Sequence, residues 1–344
     1  QMNHSKGYSV IHHFKHCWGC QRKMAIALYF AVAAATLILP PPPLPSDRAV
    51  TLANGIAMPR VLLGMGPWCN DPVRCPAPHP PCRDCYNDTA ATADLLLALR
   101  AGFAGVDTAL GYGNQAGVGV AVRAWNAPPV WVQTKVPGCR GATDTPASCA
   151  NATQLALAKD VAELALGRPL DLVLVHSPPR GSSAGDACAT AALCALAQAQ
   201  WAVLERFYKS GATRAIGVSN FCATCLACLA QTRVGVAAAV VAPMVNQIQL
   251  HAGMPGADPT GLLAYCVERG IAVQAYSPLG NYATHSLLHA NVTVAIGKQL
   301  NKSAAQVGLR WVLQHGSALC VAANTRAYLA EDVDVFDWSS ASQS

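Results

Sequence analysis

Between residues 61 and 322 the chain alternates short, nearly unbroken apolar runs with longer segments whose apolar residues recur every three or four positions. The apolar runs fall at 61–64, 105–109, 131–136, 170–176, 215–219, 244–250, 272–276 and 318–322, and the helical spacing at 91–101, 152–166, 199–210, 258–269 and 303–315. Strands apolar on both faces and separated by helices predict a parallel sheet, and eight such repeats predict closure into a (β/α)8 TIM barrel. The competing open, doubly wound sheet requires a G-x-G-x-x-G turn after the first strand. Here Gly64-Met65-Gly66-Pro67-Trp68 runs instead into a loop rich in cysteine and proline, 67–88, which lies on the catalytic face as a disulfide-pinned rim or as a plain insertion. Upstream, 50–58 reads as two short strands around the turn dipeptide Asn54-Gly55, a hairpin placed to plug the barrel bottom.

The barrel is thus expected over 49–338, followed by a short tail at 339–344 and preceded by an extension, 1–48. Within that extension 24–39 carries no charge, follows Lys15, Arg22 and Lys23, and precedes Pro40 to Pro43. It reads as a signal anchor or a signal peptide, giving membrane attachment through 24–39 and a barrel in the secretory lumen. A targeting or disordered extension on a cytoplasmic protein is the alternative. Sequons at Asn87, Asn151, Asn291 and Asn301 agree with the luminal reading, and glycosylation is expected with it.

Composition sharpens this picture in two ways. Charged residues are only 12% of the chain and apolar residues 52%, which fits a buried, alanine-rich scaffold. The net charge of +6 is scattered, so no basic face marks a nucleic-acid partner, and a monomer acting on a small molecule is expected. Many of the fifteen cysteines (Cys69, Cys75, Cys82, Cys85, Cys139, Cys149, Cys188, Cys194, Cys222, Cys225 and Cys228) fall outside the predicted strands, where loop disulfides are expected. The C-x-x-C pairs Cys82/Cys85 and Cys225/Cys228 raise zinc as the sharper alternative, but neither has a second pair at finger spacing, and no metal is assigned.

In such a barrel the chemistry sits at the C-terminal ends of the strands. Polar residues gather there: Asp107 and, just beyond, Tyr112; Gln133, Thr134 and Lys135; His176; Ser219 and Asn220; Asn246 and Gln247; Tyr276 and Ser277. Each has a bland reading as a cap, a satisfied core residue or packing. Together they describe proton transfer. Tyrosine, with an ordinary pKa of about 10, is a weak acid at neutral pH, and an adjacent ammonium such as Lys135 favours its phenolate. Asp107 would hold that ammonium in an apolar mouth, and His176 would donate to a substrate oxygen as charge develops.

Six separated stretches carry a resemblance: Gly105-Val106-Asp107-Thr108-Ala109-Leu110-Gly111-Tyr112, Gln133-Thr134-Lys135, Asp171 to His176-Ser177-Pro178, Ile216-Gly217-Val218-Ser219-Asn220-Phe221, Val245-Asn246-Gln247-Ile248-Gln249, and Ala275-Tyr276-Ser277-Pro278-Leu279-Gly280. In this order the sequence resembles the aldo-keto reductase family, over roughly 50–338. The resemblance implies an oxidoreductase that reduces an aldehyde or ketone with NADP(H), NAD(H) being the second choice, through a tetrad of Asp107, Tyr112, Lys135 and His176. It also implies that Ser219, Asn220 and Gln247 hold the nicotinamide carboxamide, that Tyr276 stacks on the ring, and that Ser277, Leu279 and Gly280 cradle the pyrophosphate. Arg326 and Glu331 would face the adenosine end, and Trp68 with His176 the substrate.

The sequence also departs from the family pattern. The Lys/Arg-Ser pair and later Arg that grip a 2′-phosphate are missing from Val321-Ala322-Ala323-Asn324-Thr325-Arg326, and an expected Asn is Asp332, whose charge should repel phosphate. Asn114-Gln115 replaces Asn-Glu, and Ser177 replaces an aromatic. Past Trp338 only 339–344 stand where the family has a helix and a substrate-covering tail, so the resemblance names no substrate. A nucleotide-binding regulatory barrel acting on a membrane partner is the competing function.

Overall fold

The computed structural model describes residues 48–66, 86–126, 128–141, 143–180, 187–231, 240–254, 258, 260–280 and 286–338. Strands β1 (Ala49–Thr51) and β2 (Ala57–Pro59) form the expected antiparallel hairpin, with Val50 opposite Met58. Gly55 closes its turn at φ 83°, where a side chain would be strained. Leu52 and Met58 pack with Leu62, Trp131, Leu172, Met244 and Ala318, residues near the starts of the barrel strands, so the hairpin seals the N-terminal end.

The barrel strands are β3 (Val61–Gly64), β4 (Gly105–Asp107), β5 (Trp131–Val136), β6 (Leu172–Val175), β7 (Ile216–Ser219), β8 (Val245–Gln249), β9 (Ala272–Tyr276) and β10 (Ala318–Val321). All pair in parallel in chain order, and β10 closes the ring by pairing with both β9 and β3. The predicted strands are therefore all present, five of them shorter than expected by one to three residues.

The helices are α1 (Asp88–Ala101), α2 (Gln115–Ala124), α3 (Pro146–Leu164), α4 (Ala191–Lys209), α5 (Ala223–Ala230), α6 (Leu262–Glu268), α7 (Ser286–His289), α8 (Asn291–Leu300), α9 (Ala304–Gln314) and α10 (Arg326–Val333). Periodicity placed three of them too late, α1 by three residues, α3 by six and α4 by eight. A Thr145/Ser148 capping box with Pro146 starts α3, and the Thr190 side chain, accepting from the Leu193 N–H, starts α4. The sequence gives α2 little helical signal because Gly117 and Gly119 are poor helix formers. Both are needed for packing: a Cβ on Gly117 would collide with the Asp88 carbonyl, and one on Gly119 with the Leu164 carbonyl. The main core, including Leu95, Val118, Leu157, Trp201, Leu204 and Leu309, fills the layer between strands and helices.

The cysteine expectation needs a correction. Three pairs among the described residues stand at disulfide geometry, Cys139–Cys149, Cys188–Cys225 and Cys194–Cys228, with Cα–Cα distances of 5.5, 5.2 and 5.8 Å. They are not confined to loops: Cys149 lies on α3, Cys194 on α4, and Cys225 and Cys228 on α5. One turn of α5 thus presents two sulfurs to the segment that leads into and begins α4. Cys69, Cys75, Cys82 and Cys85, the segments 1–47 and 339–344, and Trp68 lie outside the described residues. Among the described residues no helix is long and apolar enough to cross a membrane, and no metal-binding cluster of His, Cys, Asp and Glu occurs.

Candidate active site

The ladder register explains why the polar residues meet. Asp107, last in β4, pairs with Gln133 in β5, and Lys135 follows two residues later on the same inward face. The Lys135 ammonium has three N–H groups and three kinds of partner: the Asp107 carboxylate at 2.7–2.8 Å, the Thr108 carbonyl at 3.0 Å and the Tyr112 hydroxyl at 3.3 Å. Tyr112 sits on a short 3-10 turn, Leu110–Tyr112, that Gly113 ends at φ 72°. The Asn114 side chain locks this turn to the first strand by donating to the Met65 carbonyl at 3.0 Å and accepting from Thr108 at 3.3 Å. The His176 ring stands edge-on to Tyr112, with centroids 5.7 Å apart and planes at 79°. All four expected tetrad residues therefore share one mouth.

Beneath them lies a polar layer that the sequence reading only partly saw. Asp107 Oδ1 accepts from Gln133 Nε2 at 2.6 Å and Gln247 Nε2 at 3.0 Å, and the Gln274 Oε1 atom accepts from the same two amides at 2.7 and 2.8 Å. Cys320 presents its sulfur to both amides. In the sequence Gln274 is only a polar residue within the short apolar run 272–276; its place in this layer follows from the register that pairs it with Gln247. Gln247, expected at the nicotinamide carboxamide, has its N–H groups committed to this layer. Asp171, although part of a recognised motif, lies at the opposite barrel end. There it binds Arg168 and Arg214 at 2.9 and 2.7 Å and takes the Val132 N–H.

The electrostatics follow from burial and from the one ion pair. Burial alone would pull the Lys135 ammonium down, but Asp107 outweighs it and Tyr112 adds to the rise, so Lys135 stays charged. Tyr112 corrects the simple expectation. Burial raises its phenol above the ordinary value and Lys135 pulls the other way, with a smaller opposing push from Asp107; the net direction is up. His176 is lowered to about 3 by burial and by the Lys135 charge, so its imidazole is neutral at physiological pH. Behind the site Asp160 of α3 accepts from Gln115 at 2.7 Å and Thr134 at 3.1 Å, while its Oδ2 is buried without a partner; burial pushes it up to about 7.

Beside the tetrad, Asn220 knots together the residues expected to meet a nicotinamide. Its Nδ2 donates to the His176 carbonyl at 3.0 Å and to Ser219 Oγ at 3.1 Å, and its Oδ1 accepts from Tyr276 Oη at 2.8 Å. Tyr276 is half-buried at the end of β9, with its hydroxyl pinned. Asn220 and Ser277 both hold left-handed backbone, at φ 63° and 49°, a conformation side chains rarely adopt and one that functional sites retain. Gly280 closes the Ser277 turn by donating to the Ser277 carbonyl at 2.9 Å.

The adenosine-side residues are more scattered. Arg326 begins α10 and is exposed. Glu331 lines a cleft of about 550 Å³ shared with Asn301, Ser303 and two cations, Lys298 and Lys302. Lys302 is tied to Asp334 at 2.5 Å. Asp332 is buried rather than facing ligand, and burial, with Glu331 beside it, raises its carboxyl to about 7, so the expected repulsion of phosphate is blunted.

Residues 83–343 match the Aldo/keto reductase family. The chain is 32% identical over 296 residues to a 9,11-endoperoxide prostaglandin H2 reductase of Trypanosoma cruzi, covering 85% of this chain and 87% of that one. It is 32% identical over 254 residues to a glyoxal reductase of Bacillus subtilis, covering 73% and 80%. Among solved structures it superposes on MGS-M4, an aldo-keto reductase enzyme from a Medee basin deep-sea metagenome library, with a TM-score of 0.67 and 25% identity over 85% of this chain and 90% of the other. The closed barrel, the mouth that unites a phenol, an ammonium and an imidazole, and these relatives agree: the chain belongs to the aldo/keto reductase family and is an NAD(P)H-dependent oxidoreductase that reduces carbonyl groups.

Proposed function

We propose that Tyr112 is the proton donor in the reduction of a small aldehyde or ketone. The observation that carries this reading is the Lys135 ammonium standing between the Asp107 carboxylate and the Tyr112 hydroxyl, at 2.7 and 3.3 Å. When bound, the reduced nicotinamide supplies a hydride to the carbonyl carbon. The carbonyl oxygen, placed between Tyr112 and the neutral His176, gains negative charge as that happens, and a neutral imidazole can donate to it without delivering a full proton. Tyr112 then gives up its proton to the oxygen. Its raised pKa keeps the phenol loaded across the physiological range, and the ammonium 3.3 Å away stabilises the phenolate it becomes. Asp107 keeps the ammonium in place and charged.

The residues around Asn220 fit a nicotinamide: the half-buried Tyr276 to stack on, and the Ser219 hydroxyl and Asn220 amide at its edge. An arriving carboxamide would exchange for the bonds these groups now make to one another. We assign NADP(H) as the cofactor and expect weak discrimination against NAD(H), because Arg326 is exposed and the basic grip after β10 is absent. Oxidation of NADPH and NADH with a panel of small aldehydes, for the native chain and Tyr112→Phe, tests the assignment. A rate untouched by the substitution removes Tyr112 from the mechanism.

We infer further that the barrel works as a monomer in an oxidising compartment, reached through 24–39, since three cysteine pairs stand at disulfide geometry. Glycosidase treatment of the expressed protein tests this. No mobility shift together with a cytosolic fraction counts against it, and sedimentation checks the monomer.

A further inference from the structure

A third sulfur lies beside one of the bridges. Cys222, the N-cap residue of α5, places its Sγ 3.7 Å from the Sγ of Cys225, which is itself paired with Cys188. Among the described residues the unpaired cysteines are Cys222, Cys266 and Cys320; the last two are buried and Cys222 alone is partly exposed. Cys222 and Cys225 also form a C-x-x-C pair at the start of α5, the first as its N-cap and the second within its first turn, so the same two residues can close a short ring without moving the rest of α5. Cys188 stands on the other side, at φ 58° in the segment that runs from His176 into α4. Cys194–Cys228 ties α4 to α5 independently, so the helices stay together whichever way the neighbouring sulfurs pair.

We propose that Cys188, Cys222 and Cys225 form a thiol–disulfide relay that fastens and releases the short stretch 187–190 before α4. The Cys222 thiolate attacks Cys225 Sγ; the Cys222–Cys225 bond forms, the Cys188–Cys225 bond breaks, and Cys188 leaves as a thiolate that takes up the proton Cys222 lost to water. One disulfide and one thiol are present before and after, so no oxidant or reductant is consumed. In the first state the segment is pinned to α5. In the second it is released from α5 at Cys188, three residues before α4 begins. The relay does not rest on the catalytic assignment of Tyr112.

The test uses the full chain purified without reductant, incubated at several pH values from 6 to about 8.5, acid-quenched, digested with pepsin and mapped by mass spectrometry after alkylation. The expected result is that both Cys188–Cys225 and Cys222–Cys225 peptides are found, interconverting faster as pH rises, by up to about tenfold per unit while the attacking thiol is mostly protonated. Alkylating Cys222 before incubation, or Cys222→Ser, should leave Cys188–Cys225 alone; Cys222→Ser keeps every bridge seen here and so should fold, which circular dichroism checks. Cys188→Ser should leave only Cys222–Cys225. A native chain that shows a single Cys188–Cys225 bridge at every pH and time, with Cys222 labelled and Cys188 never labelled, overturns the proposal.

Discussion

Lys135 Nζ lies 2.7 Å from Asp107 Oδ1, with side-chain exposures of 1% and 5%, so each charge has the other in place of water. Breaking such a pair by removing one partner leaves an uncompensated buried charge, at a cost of about 3–5 kcal/mol. Asp107→Asn should therefore lower stability by an amount of that order and also depress turnover, because the ammonium beside Tyr112 loses what holds it. Lys135→Met should behave differently: Asp107 keeps the Gln133 and Gln247 amides, so stability falls less, while proton transfer loses roughly 100- to 10,000-fold. Urea denaturation and kcat on the same preparations separate the two. Equal stability losses with unchanged kcat would mean that the pair is only structural.

Asp160 and His176 give opposing pH signatures. The Asp160 carboxyl is raised to about 7, so the folded state binds its proton more tightly than the unfolded state. Its stabilisation is complete below the unfolded value near 4 and is lost as pH rises through about 7. His176 is lowered to about 3, so its neutral form is favoured by folding; that contribution is present above the unfolded value near 6.5 and is lost as pH falls toward 3. Each acts with a slope of up to about 1.4 kcal/mol per pH unit, so the two oppose one another between pH 4 and 6.5, with Asp332 acting in the same sense as Asp160. Asp160→Asn should then shift the dependence of stability on pH in that range toward a rise, by up to about 1.4 kcal/mol per unit relative to the native chain. Chemical denaturation at half-unit steps measures it; a slope identical to the native chain's would show that Asp160 is ionised throughout.

The barrel was legible because its signal is redundant: eight apolar runs, each flanked by helical spacing, leave few other folds. The convergence of these side chains on one mouth was legible for a related reason, since Asp107, Lys135 and His176 are polar residues at strand ends where a core has no use for them. What was not legible depends on three-dimensional contact. Gln274 is inward-facing only once the register pairs Gln247 with it, and its partner Gln133 lies far away in sequence. The sign of the Tyr112 shift also escaped, because burial and an ammonium pull opposite ways and only the packed structure says which is larger. The partners of Cys225 and Cys228 were not legible either, because spacing cannot say that α4 and the segment before it present a sulfur to each.

Asn220 joins His176, Ser219 and Tyr276 through its side-chain amide alone. Asn220→Ala removes all three contacts and also places alanine at φ 63°, where it is strained. Cofactor affinity should fall by an order of magnitude or more, whereas Asn220→Gly, which relieves only the backbone strain, should recover stability and leave affinity low. Fluorescence titration with NADPH reads the affinity and thermal unfolding the stability. Full recovery of binding in Asn220→Gly would mean that the backbone, and not the amide, is what the nicotinamide edge needs.

Lys298 offers the remaining test of cofactor choice. It is exposed on α8 and lines the cleft with Glu331, whereas its neighbour Lys302 is already tied to Asp334 and stands 5.6 Å from the Trp338 ring. Of these two cations Lys298 is therefore the one free to turn toward a 2′-phosphate at the adenosine end. A solvent-screened charged contact is worth about 1 kcal/mol, so Lys298→Ala should raise KM for NADPH roughly fivefold at low salt and leave KM for NADH unchanged. At high salt the difference should shrink, because exposed charges are screened. If both cofactors weaken equally, Lys298 shapes the cleft without reading the phosphate, and the discrimination between the two must come from Arg326 or not arise at all.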